Sequence, residues 1–111
     1  MRLFRWLSAG PIPQGMDLRR CGWQRIGAEV APVANGPVPA LGHADCLGDL
    51  RWSGLGDWRF QPLRRLLLLI GIDDEDARAR LLRLGYGDVL GSRTSLCEIE
   101  QRALRIAAQA E

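Results

Sequence analysis

Apolar positions along this chain follow two spacings, and they predict strands first and helices later. Leu3, Phe4, Trp6 and Leu7 form an apolar segment of strand length, closed by the turn-forming run Ser8-Ala9-Gly10-Pro11. Met16 and Leu18 predict a short helix over residues 15–21, stopped by Gly22, and residues 23–26 and 29–33 read as extended pieces. Residues 31–42 hold Pro32, Pro37 and Pro39 with Asn35-Gly36, which forbids a long helix and reads as a loop or a ragged edge. Residues 44–50 are apolar again with Asp45 and Asp49 embedded, predicting a strand that ends near Asp49 before a turn at Ser53-Gly54 and Gly56. Residues 58–65 suggest a helical turn interrupted by Pro62.

The second half is more sharply patterned. Leu66 to Ile70 is an unbroken aliphatic run, as expected of a central parallel strand covered on both faces. Asp73-Asp74-Glu75-Asp76 then places acids on the first turn of a helix, with Arg78, Arg80 and Arg83 towards its end, the order that the helix dipole favours. Ala77, Leu81 and Leu84 share a face before Gly85 stops the helix. Asp88 to Leu90 is a short strand. Ser95 and Glu98 have the spacing of a capping box, and Leu96, Ile99, Ala103 and Ile106 mark the buried stripe of a last amphipathic helix. Strand, helix, strand, helix at these spacings predicts an α/β fold with parallel strands.

Composition narrows the function. The 111 residues suit a single domain, 1–111, and 47% hydrophobic with 25% charged residues is an ordinary globular balance. No apolar run is long enough to cross a bilayer and the N-terminus lacks a secretory pattern, so the expected location is cytoplasmic, with no membrane partner. A net charge of +2, with Arg residues interleaved among acids, gives no stripe for nucleic acid. All 15 basic residues are Arg, which excludes any mechanism that needs a lysine ammonium. Cys21, Cys46 and Cys97 are odd in number and widely spaced, so reduced thiols are expected. His43 and Cys46 have an H-x-x-C spacing without a second such pair, which points away from zinc. The lone histidine, and the lack of a glycine-rich phosphate loop ahead of a helix, point away from an enzyme.

The aliphatic run at Leu67 to Ile70, the acids at Asp73 to Asp76, Leu81 to Gly85, Gly87-Asp88-Val89-Leu90, Ser92-Arg93 and Leu96 to Ile99 follow one another in an order and spacing that resemble the second half of a response-regulator receiver domain. This is the phosphoacceptor module of two-component signalling. The resemblance covers roughly the last two-fifths of the chain. It implies a flavodoxin-like, doubly wound, five-stranded parallel sheet, here with a shortened or irregular segment around residues 31–43.

It also implies a site. The segment Asp49-Leu50-Arg51-Trp52-Ser53-Gly54 resembles the surroundings of the phosphoacceptor, which makes Asp49 the candidate; Asp49 reads equally as a residue that starts a turn. Phosphoryl transfer in the family also uses an acidic pair for a divalent cation, a hydroxyl and a lysine. Here Ser8, Ala9 and Gly10 follow the first strand, Gly71 stands at the hydroxyl position and Ser92 at the lysine position, with Arg93 next to it an imperfect substitute cation. No metal or other cofactor is then expected, Mg²⁺ entering only if Asp45 or Asp57 rebuilds a cation site beside Asp49. Trp52 and Trp58 flank that loop and are candidates to cover the vacated site, while Trp6 and Trp23 read as core.

The resemblance thus implies an atypical receiver that works without phosphorylation, by homodimerising through its last helix-strand-helix face; the alternative is a working phosphoacceptor that uses Asp49 with a non-standard metal site. In the winged-helix subfamily that face carries cross-subunit ion pairs, and Asp88 and Arg102 match two of the positions, with Arg78, Arg80 and Arg83 beside them; the same residues also read as the solvated charged face of an amphipathic helix. Implied partners are a second copy and a histidine kinase or other signalling protein, with DNA reached only through a further domain of a transcription regulator.

Overall fold

The computed structural model describes residues 2–8, 10–27, 38–43 and 65–109. Five strands, β1 (Leu3–Trp6), β2 (Gln24–Ile26), β3 (Ala40–His43), β4 (Leu67–Ile70) and β5 (Asp88–Leu90), form one sheet in the order β2-β1-β3-β4-β5. Every neighbouring pair is parallel, with Phe4 opposite Arg25, Leu41 opposite Leu68 and Leu69 opposite Val89. With helices α1 (Glu75–Arg83) and α2 (Leu96–Gln109), this is the expected α/β, flavodoxin-like arrangement.

Strand alternation sorts the core into two layers. Phe4, Trp6, Leu41, Leu68, Ile70 and Leu90 pack on one side against Ile99, Ala103 and Ile106 of α2, joined by Leu18 and Trp23. Ala40, Leu67, Leu69 and Val89 pack on the other with Tyr86 and with Ala77 and Leu81 of α1. All four residues of β4 are buried, as the aliphatic run predicts.

Three local expectations are corrected. First, β3 occupies Ala40–His43, starting inside the stretch read as a loop and ending one residue past it, and the strand expected over residues 44–50 lies outside the described residues. Pro39 is compatible with the strand because its carbonyl is the group required: Arg5 N–H donates to Pro39 O at 3.0 Å. Second, the helix expected over residues 15–21 is two 3-10 turns, Gln14–Met16 and Leu18–Cys21. Asp17 divides them in extended conformation, and its carboxylate caps the second turn through Arg19 N–H at 3.0 Å. Third, Leu84 is the capping residue of α1, past the last helical turn, and is 56% exposed instead of sharing the buried face. The Ser95 cap forms, accepting from Glu98 N–H at 3.2 Å, but Glu98 turns its carboxylate to Arg102.

Trp23 fastens the N-terminal turns to α2. Its indole N–H donates to Glu100 at 2.7 Å, and its ring meets Phe4 edge-on at 6.5 Å. Arg5, at the centre of β1, is buried and donates to Gly27 O at 2.6 Å. Among the described residues, no helix is long and apolar enough to cross a membrane.

Truncating Ile99, fully buried against the sheet, to alanine is expected to cost about 2–5 kcal/mol. Leu84→Ala, at an exposed position, is expected to stay within about 0.5 kcal/mol. Urea unfolding of the two variants checks the assignment, and equal losses would contradict it.

Candidate functional site

A parallel sheet brings all its strand ends to one edge, and open α/β sheets bind ligands there, where the strand order reverses. The reversal here falls between β1 and β3. Ser8 follows β1 and His43 ends β3, and the two are joined: His43 N–H donates to Ser8 Oγ at 2.9 Å. The His43 imidazole lies over Gly71, just past β4. A Cβ built on Gly71 would sit 2.8 Å from His43 Nε2, and the Gly71 φ of +93° is itself poorly suited to any other residue. The space that a side chain at position 71 would need is filled by the imidazole.

The loops after β4 and β5 are stitched together. Gly71 and Ile72 N–H groups both donate to Leu90 O, at 2.9 and 3.1 Å. Ser92 donates twice to Asp73, from its backbone N–H to Oδ1 at 2.8 Å and from its hydroxyl to Oδ2 at 2.8 Å. These two donors, with weaker help from Arg78 and Arg93, hold the Asp73 carboxyl below the usual carboxylate range. Gly91 suits this bracket, since a Cβ there would come within 3.1 Å of Asp73 Oδ1. Ser92, at the position where the resemblance calls for a lysine, thus serves as a donor to Asp73.

The charged residues of the last helix-strand-helix face divide into two groups. Asp88 and Arg102, which the resemblance pairs across subunits, pair inside this chain at 3.1 Å and tie the start of β5 to α2. Arg102 Nε also donates to Glu98 at 2.9 Å; that bond, then the charge of Asp88, favours its charged form. Arg78 bends back to donate to Ile72 O at 2.8 Å. Arg80 and Arg83 are exposed on α1 and make no ion pair among the described residues.

Asp49, with Asp45, Asp57, Cys46, Trp52 and Trp58, lies outside the described residues. Among the described residues, no group of three or more His, Cys, Asp and Glu side chains converges as a metal site. Cys21 and Cys97 are free thiols, and burial pushes the Cys21 thiol up. The His43–Gly71 contact and the Asp73–Ser92 bracket were missed in the sequence, because each joins residues of different strand ends with no local spacing to betray them.

Because the Asp73 pKa is depressed, its contribution to stability is present above the ordinary carboxylate pKa and lost as pH falls through the folded value. Ser92→Ala removes the hydroxyl donor and should raise the Asp73 pKa partway to its ordinary value, read by carboxyl-carbon NMR titration. An unmoved titration would mean that the bracket does not form in solution.

Comparison with protein-family models, with curated proteins and with solved structures finds no match to this chain.

Proposed function

We propose that the chain is an atypical receiver domain of a two-component-type signalling or transcription regulator. It acts by protein association without phosphorylation, through the face made of α1, β5 and α2. The observation that carries this reading is the strand order β2-β1-β3-β4-β5 in an all-parallel sheet, with β4, α1, β5 and α2 lying where the receiver-like motif run predicts them.

The edge chemistry supports the same reading. Phosphoryl transfer to a carboxylate gathers negative charge and needs preplaced positive charge and donors to offset it. At the described strand ends the corresponding positions hold the Ser8 hydroxyl, Gly71 under the His43 ring, and Ser92 bound to Asp73. Each missing charge-stabilising contact costs on the order of 3 kcal/mol, about a hundredfold in rate. Self-association has no such requirement. The process regulated would be set by the domains joined to this one, with a second copy as its first partner.

The test is intact mass after incubation with a small acyl phosphate and Mg²⁺, comparing the native chain with Asp49→Asn, alongside sedimentation of the native chain. The expected outcome is no phosphate adduct and a concentration-dependent dimer. An adduct abolished by Asp49→Asn would replace this reading with a working phosphoacceptor at Asp49.

A further inference from the structure

The charges on the association face are unevenly committed. Arg78 is bound to a backbone carbonyl, and Asp88 and Arg102 satisfy each other within the chain. Apart from Arg105 on α2, the exposed charges of the two helices all lie on α1. Its first turn carries exposed Glu75 and Asp76, and its second half carries exposed Arg80 and Arg83. Between them on the outer face lie Ala79 and Leu82, opposite Ala77 and Leu81, which pack into the core. The two large hydrophobic side chains exposed among the described residues, Leu82 at 47% and Leu84 at 56%, both stand at the basic end of this helix.

Acids at the start and arginines at the end also suit the helix dipole. The dipole gives no reason for leucine to be exposed among those arginines. A helix that is acidic at one end and basic at the other, with a small residue midway, complements a copy of itself laid antiparallel. About a two-fold axis at Ala79, residues 75 and 83 of opposite copies fall side by side.

We propose that two copies of the chain pair through α1, antiparallel about Ala79, with Glu75 of each copy facing Arg83 of the other and each Leu82 packing over the opposite Ala79. This rests on the reading that the chain acts by self-association, and specifies the contact. The small methyl group of Ala79 lets the helix axes approach closely, and the leucines bury apolar surface. The two symmetry-related ion pairs set orientation more than strength, since exposed pairs contribute little individually. The contact therefore weakens as salt rises.

Sedimentation at low ionic strength tests this with Arg83→Glu, Glu75→Arg, their equimolar mixture and Leu82→Ala. Each charge reversal sets like charges opposite each other twice, and should weaken the dimer by roughly tenfold or more. The mixture should restore it, because a mixed dimer sets acids at both positions of one copy against arginines at both positions of the other. Leu82→Ala should weaken the dimer without any rescue by mixing. All three substitutions are at exposed sites, and circular dichroism verifies that each variant is folded. A native dimer that both reversals leave intact, or reversals that mixing fails to rescue, would overturn pairing through α1 and leave association by another surface standing. A native chain that stays monomeric at all concentrations would overturn the association reading together with this one.

Discussion

The burial of β4 on both faces is the constraint from which the rest of the structure follows. Leu67 and Leu69 point to one layer, Leu68 and Ile70 to the other, and all four are out of water. A strand with apolar residues on both faces is stable only between two covering layers, so helices must lie on both sides. Its backbone must also be paired on both edges, which draws β3 and β5 alongside. Fully burying side chains of this kind contributes about 1.5–3 kcal/mol each.

Where β4 ends, the chain has little freedom. Gly71 turns it with a positive φ beneath the His43 ring, and its N–H and that of Ile72 both reach Leu90 O. Asp73 then closes the gap to Ser92 before Asp74 caps α1 by accepting from Asp76 N–H at 3.1 Å. The starts of α1 and α2 are thereby referred to the same strand ends. At α2 the Asp88–Arg102–Glu98 cluster ties the helix back to β5. The helix-strand-helix face is held at its beginning by hydrogen bonds and along its length by packing, and that is the rigidity a surface needs to meet a partner without an ordering cost.

The arginines show how the same residue type takes different roles by position. Arg5 is swallowed by the sheet and bonds a carbonyl, Arg78 folds back on its own loop, and Arg102 joins a strand to a helix. Arg80 and Arg83 stay outside with Leu82 and Leu84. Planar, multiply donating guanidinium groups suit all these tasks, and a chain with no lysine meets them with arginine alone. The proposed self-pairing draws on Arg83, one of the two exposed arginines of α1.

The sequence by itself determined the elements whose signal is local and repeated. The run Leu66 to Ile70 has the pattern expected of a doubly buried strand, which Leu67–Ile70 forms, and the spacing of Leu96, Ile99, Ala103 and Ile106 is that of a helix with one buried stripe. The Ser95 cap and the acidic start of α1 belong to the same class, because a cap is settled within one turn of chain. Tertiary structure decided what depends on a distant partner. Residues 40–43, with Ala40 and Gly42 beside a proline, have little strand preference of their own; they become β3 because β1 and β4 offer a paired, apolar slot on each side, where Leu41 is fully buried. The pairings of His43 with Gly71, Asp73 with Ser92 and Asp88 with Arg102 arise in the same way, from strand ends and helix faces that only the closed sheet brings within hydrogen-bonding or packing distance.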